Sequence, residues 1–244
     1  MAGQHQRTRT DPLAADLVVV PYVSSWSEET KVRAEVVQRT GTGVGIAFAN
    51  ETVYDRDREG VLWARKTLRH GQGRPEFGQV HCLRQRHAMR RLLCQVCAQP
   101  ADRNEDGVLW LLPDYYSEAE GWPENYDLAE PPICRSCVPI ATQRCPALRK
   151  GYLGIRAHNA PICGVRGLVY RPGPPAPTLV GEYLVRYGHP TIRWTLADQL
   201  LRTLQDCTTV DLDHLDCVDR DPQASEDQHV KAVRQRTGTQ QPAP

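Results

Sequence analysis

Apolar residues in this chain fall into short runs separated by polar turns, and each run predicts an element. Asp16–Val23 (DLVVVPYV) is β-branched and apolar, which predicts a buried strand with Pro21 near its end. Ser27 followed by Glu28 and Glu29 reads as a helix start, a hydroxyl cap with acids at the positive end of the dipole. Val32, Val36 and Val37 would form the inward stripe of that helix, and Gly41 would end it. A glycine-rich run, TGTGVGIAF, leads into a strand over Val44–Ala49, and the polar NETVYDRDRE leads to another over Val61–Lys66. The glycines follow a helix and enter a strand, the reverse of a phosphate loop, and are read as turn residues. Residues 79–93 (QVHCLRQRHAMRRLL) predict a helix. Leu83, Met89, Leu92 and Leu93 share one side of it, and Arg84, Arg86, Arg90 and Arg91 fill much of the rest.

Beyond residue 94 the run GVLWLLP predicts a strand and VPIATQRCPALRK a short helix with Pro139 in its first turn. Gly154–Ala157, Gly167–Arg171 and Tyr183–Tyr187 predict short strands punctuated by turns such as RPGPPAP. Thr195 with Asp198 three residues on resembles a capping box. It predicts a helix to about Cys207 with Leu196, Leu200, Leu201 and Leu204 as its stripe. The polar ends, 1–10 and 221–244, are expected to be disordered. Between them the pattern divides into an N-terminal α/β segment (11–78), a basic helix with a cysteine-bearing module (79–150) and a strand-plus-helix region (151–220). The expected fold class is α+β, with short antiparallel strands and a few helices.

Composition narrows the class without naming a function. With 244 residues, 40% hydrophobic and 24% charged, the chain has the make-up of a globular protein of one or two domains. Of its 30 basic residues 26 are Arg, and Pro and Gly are frequent, which fits a GC-rich, bacterial coding sequence. No run approaches the roughly 18 apolar residues of a membrane span. Asp11, Asp16 and Pro21 interrupt what could pass for a leader behind Arg7 and Arg9, so the expected compartment is the cytoplasm, with no membrane partner. The net charge of +1 conceals a reversal. Ten basic and three acidic residues lie between Arg56 and Arg91, against nine acidic residues and Arg103 alone between Asp102 and Glu130.

The nine cysteines carry the chemistry. Cys94-Gln95-Val96-Cys97 and Cys134-Arg135-Ser136-Cys137 are two Cys-x-x-Cys pairs separated by 36 residues. A two-residue gap lets both thiolates of a pair reach one Zn2+ at about 2.3 Å, and two pairs complete a tetrahedron. In a reducing compartment this spacing favours a metal over a disulfide, so a structural zinc ion is the expected cofactor. A knuckle, a strand-like run and two ligands at a helix start resemble the treble-clef class of zinc finger over roughly residues 90–149. The acidic insert DYYSEAEGWPENYDLAEPP departs from the usual hairpin. The layout also resembles uncharacterised proteins of GC-rich actinobacteria. The resemblance to the treble clef admits nucleases, but no His lies between Ala98 and Ile133 to serve the HNH reaction. A deaminase reading fails because His87 lacks the following x-Glu and Ile133 separates Pro132 from Cys134.

Weaker candidates remain. Cys207, His214 and Cys217 have the spacing of a partial second metal site. His81, Cys82 or His87 could substitute as a ligand, and His158 with Cys163 could form a nucleophile–base pair. Cys145 sits about 12 Å further along the helix after Cys137, too far to share the ion. Arg84, Arg86, Arg90 and Arg91 make the helix a candidate nucleic-acid contact, unless these arginines pair with the acidic insert. The reading that asks least is a zinc-stabilised interaction or accessory protein with a protein partner. Nucleic-acid binding is the first alternative, and an enzyme with a site outside the zinc module the second.

Overall fold

The computed structural model describes residues 19–39, 43–118 and 121–212, with Tyr116 and Glu118 as backbone only. Among the described residues the N-terminal strands are β1 (Ser24–Trp26), β2 (Val36–Arg39), β3 (Gly45–Phe48), β4 (Leu62–Trp63) and β5 (Pro75–Val80). Helix α1 (Cys82–Arg91) follows, then β6 (Arg103–Asn104), β7 (Gly107–Pro113), β8 (Asp127–Leu128) and α2 (Val138–Arg144). The last strands are β9 (Tyr152–Asn159), β10 (Ile162–Arg171), β11 (Thr178–Arg186), β12 (Thr195–Thr203) and β13 (Gln205–Val210). Two α-helices with mostly antiparallel strands fit the α+β class. The described residues up to Val210 form one compact unit, and of a second unit beginning at Asp211 only the first two residues are described.

Two sheets carry the fold. One has the order β11-β10-β12-β4, with β8 pairing the same edge of β12 further along, and the other runs β13-β9-β7-β6. Two-stranded ladders β1–β5 and β2–β3 complete the set. The chain passes between the sheets at two neighbouring points. Ala160 and Pro161 join β9 to β10, Leu204 joins β12 to β13, and Thr203 N–H donates to the Pro161 carbonyl at 3.0 Å. The second sheet packs a core of Val108, Trp110, Leu112, Leu128, Ile155, Ala157 and Leu204. The first, with α1, packs Val61, Trp63, Met89, Val165, Ala197 and Leu200. Each such large side chain withdrawn from water contributes about 1.5–3 kcal/mol before entropy is counted. At Gly107, where φ is +114°, a Cβ would collide with the Ala157 backbone, so the β6–β7 turn can approach β9 only as glycine.

Helix α1 lies against β12, but not on the stripe its leucines predict. Leu83 is exposed, and the buried face is Cys82, Arg84, Gln85, Ala88 and Met89. The polar members are satisfied: Gln85 Nε2 donates to the Ala129 and Leu200 carbonyls, and Gln85 Oε1 accepts from Leu200 N–H at 2.9 Å. Arg84 forks onto both carboxylate oxygens of Glu29 at 2.6 Å and donates to the Tyr22 and Ser24 carbonyls. Burial alone would raise the Glu29 carboxyl, but Arg84, the Trp26 N–H and the nearby His81 together hold it below its ordinary range.

Two expected helices are strands. The residues after Ser27 form a tight turn and then extended chain into β2. Glu29 is not a first-turn acid there but the counter-ion of Arg84. The β-branched run at Asp16–Val23 is not the first strand in its described part, 19–23; pairing begins at Ser24. Residues Thr195–Thr203 and Gln205–Val210 are β12 and β13 instead of one helix. Strand β12 is paired along both edges, and its adjacent Leu200 and Leu201, with Leu204 just beyond its end, are all buried, so the period-2 signal of a strand disappears there. The glycine-rich run, whose residues 40–42 fall outside the described set, leads into β3. The ends expected to be disordered, 1–10 and 221–244, also lie outside the described residues.

Candidate metal centre

The first cysteine pair stands at the end of α1. Leu92 takes a left-handed conformation (φ +52°) and stops the helix, and Leu93 bridges to Pro100 to close a loop around Cys94–Gln99. Inside the loop Cys94 N–H donates to the Gln99 carbonyl at 2.7 Å and Ala98 N–H to the Cys94 carbonyl at 2.9 Å. Val96 N–H points at Cys94 Sγ, 3.4 Å away, a donor suited to a sulfur carrying negative charge. The second pair opens a helix: Cys134 precedes a 3-10 turn over Arg135–Cys137, and α2 begins at Val138. Backbone bonds from Asp102 to Ile133, from Ile133 to Leu109 and from Gln95 to Pro132 bring this segment alongside the knuckle and β7. The acidic insert therefore lies between β7 and Pro132 without separating the two pairs in space.

Cys94, Cys97, Cys134 and Cys137 converge so that their sulfurs all lie within 4.8 Å of one another. Cys97 and Cys134 Sγ are 3.6 Å apart. A disulfide would need about 2.05 Å, whereas four sulfurs at about 2.3 Å from a tetrahedral ion stand about 3.8 Å apart. The donor set thus fits a metal ion. Its electrostatics point the same way. Desolvation and the neighbouring Cys94 and Cys134 sulfurs push the Cys97 thiol up to about 12. Hydrogen bonding to Cys134 and Cys94, then burial, pushes Cys137 up. Bonds from Cys137 and Cys94 bring Cys134 down. Thiols crowded and desolvated in this way resist ionising together, and a dication held among them would supply the charge that lets them do so. Cys94 and Cys137 are buried, Cys134 is half-buried and Cys97 faces solvent.

The chain matches no protein-family model, no curated protein and no solved structure. The reading of this centre therefore rests on its geometry. No helix among the described residues is long and apolar enough to cross a membrane.

Those of the other sequence candidates that are described do not join this cluster. Cys207 lies on β13 with its thiol pushed up to about 12 by burial and Glu124, while His214 and Cys217 lie outside the described residues. His81 is fully buried with Nε2 3.1 Å from the Thr67 carbonyl, and the Cys82 thiol faces the Ala64 carbonyl. His87 is exposed, edge-on to Tyr22. Cys145 follows α2 and is not among the clustered thiols. His158 Nδ1 meets the Glu105 carbonyl at 3.2 Å, and Cys163, raised to about 11 by burial, neighbours Thr203 and Asp127.

The four arginines of the basic helix separate into two kinds. Arg84 is buried on Glu29, and the Arg86 guanidinium stacks 4.3 Å from the Trp63 ring, whereas Arg90 and Arg91 are exposed at the helix end. Neither Glu29 nor Trp63 belongs to the acidic insert. Sequence reasoning missed Glu29 as the partner of Arg84. No local signal could have linked the two, because they are 55 residues apart.

Proposed function

We propose that the chain is a zinc-stabilised accessory protein of the cytoplasm that works by binding another protein, its metal centre being of treble-clef type and purely structural. The convergence of four thiols within 4.8 Å carries this reading. A full set of four sulfur donors leaves a tetrahedral Zn2+ no open position for water or substrate, so the ion serves to hold chain segments together. Knuckle, β6–β7 hairpin and ligand-bearing helix start occur in treble-clef order, with the acidic insert as a departure. The protein-binding part is supported by β11, which among the described residues is an edge strand and on which Leu179, Val180, Tyr183 and Leu184 are each about half exposed. An unpaired edge with apolar side chains is a template for a partner strand. Nucleic-acid binding has less support, since two of its four candidate arginines are committed to Glu29 and Trp63.

Elemental analysis joined to affinity purification tests the proposal. The native chain is expected to carry one zinc ion and to recover a stoichiometric protein partner. Leu179→Asp with Leu184→Asp should keep the zinc and lose the partner. A metal-free preparation, or recovery that the β11 substitutions leave unchanged, counts against it.

A further inference from the structure

Where the chain crosses between the two sheets, a depression of about 410 Å3 opens between Leu92 at the end of α1 and the turn at Asn159, Ala160 and Pro161. Its polar lining is Arg103, His158, Asn159, Arg202 and Gln205, and no lining residue is acidic. Register explains why the charges meet there. Arg103 pairs with Val108 and Val108 with Ala157, so Arg103 shares a row with two core residues at the open end of the second sheet. Arg202 arrives from the other sheet on β12 and is only 8% exposed.

Arg202 is an unusual buried cation. Its Nε donates to the Met89 carbonyl at 2.7 Å and its Nη1 to the Ala160 carbonyl, so dipoles, not a carboxylate, face it. Among the described residues neither Arg202 nor Arg103 forms an ion pair with an acid. Burial, together with the charge of Arg103, brings the Arg202 guanidinium down to about 10. His158 spends Nδ1 on the Glu105 carbonyl and keeps Nε2 for another partner. One carboxylate is close in sequence: Asp206 accepts from Asn159 Nδ2 at 2.8 Å, but it does not line the depression. A buried positive charge without a counter-ion is costly to fold, and here a second cation stands beside it. That is the arrangement of a site awaiting an anion.

We propose that this depression binds a dianionic phosphate group, free or carried by a small organic molecule, with Arg103 and Arg202 as its charged contacts. Two guanidinium charges with no acid among the lining residues match a dianion better than a single carboxylate, and guanidinium forks suit phosphate oxygens. The walls from Leu92, Val108, Ala157 and Pro161 give a carbon moiety an apolar seat. None of its lining residues belongs to the cysteine cluster or to β11, although Leu92 in its wall is the residue that leads into the knuckle.

Calorimetry on the full chain tests this with inorganic phosphate, phenyl phosphate, succinate and a short single-stranded oligonucleotide as probes. Saturable one-to-one binding of phosphate or phenyl phosphate is expected, tighter phenyl phosphate marking an organic ligand and equal affinities marking free phosphate. Arg103→Ala, which removes an exposed side chain, should weaken that binding roughly tenfold or more, as loss of a charged hydrogen bond does. Arg202 is the poorer probe, because it also holds Met89 and Ala160. No saturable binding of either phosphate at millimolar concentration overturns the proposal. So does preference for succinate, binding confined to the oligonucleotide, or affinity that Arg103→Ala leaves unchanged.

Discussion

At the scale of single residues, long-range ionic pairs decide local conformation. Asp55 shows the chemistry most clearly. It accepts from Arg65 Nε and Nη2 at 2.6 Å each and from the backbone and hydroxyl of Thr52, and it is 7% exposed. The Arg65 bonds, partly opposed by burial, hold its carboxyl at about 2 against an ordinary 3.8. A depressed acid stabilises the fold above its unfolded pKa and loses that contribution as pH falls through the folded value. The window is therefore about pH 4 down to about pH 2, and the contribution at neutral pH is roughly 2 kcal/mol. Asp55→Asn should lower stability by about that amount at pH 7, with the gap to the native chain narrowing as the solution is acidified across the window. Urea unfolding at a series of pH values measures it, and a gap independent of pH would show that the carboxylate charge is not the cause. The same network fixes the loop on which Val53 and Tyr54 stand almost fully exposed.

At the scale of elements, what could be read from sequence was whatever the chain specifies locally. Helix α1 and strand β7 were legible because ten periodic residues and seven consecutive buried ones carry their own signal. The cysteine pairs were legible because ligand spacing is a local property, although only the fold shows that the 36-residue separation closes. Strand β12 was not, because its character comes from neighbours. Its leucines at 196, 200 and 201, with Leu204 just beyond its end, mimic a helical stripe, while β10, β4 and β8 pair along its edges and α1 packs against it. Nor could sequence place Arg103 and Arg202 together, since the two meet only where the sheets cross. Gln85 makes three hydrogen bonds, two of which couple α1 to β12 through the Leu200 backbone while the third reaches the Ala129 carbonyl. Gln85→Leu keeps the volume and orphans the Leu200 and Ala129 groups, so it should cost about 1–3 kcal/mol or more. A midpoint in urea equal to that of the native chain would mean that water or a shifted strand can satisfy them.

At the scale of the whole molecule, the four-cysteine knuckle is where separate segments are fastened. Tyr22 and Val23 N–H donate to the Val96 and Gln95 carbonyls, His81 N–H donates to Val23, and Gln95 N–H donates to Pro132. The knuckle thus holds the N-terminal chain, the start of α1 and the segment ahead of Cys134 in one hydrogen-bonded patch. Binding energies of structural zinc are about 10–16 kcal/mol, comparable with the whole stability of a domain at about 5–15 kcal/mol. On the proposed zinc reading, loss of the ion would not be absorbed locally by the buried side chains of Val96, Ile133 and Val138. The sheet around β10 and β12 keeps its own core of Val165, Ala197 and Leu200. Chelation should accordingly release amide protection first at Tyr22, Val23, Cys94–Ala98 and Ile133. The β10–β11 ladder should follow only at higher denaturant. Hydrogen exchange read by mass spectrometry resolves the order, with Cys94→Ser expected to reproduce the chelated pattern. Knuckle amides that stay protected after chelation would show that protein packing alone holds the patch, and the structural role of the ion would fall with them.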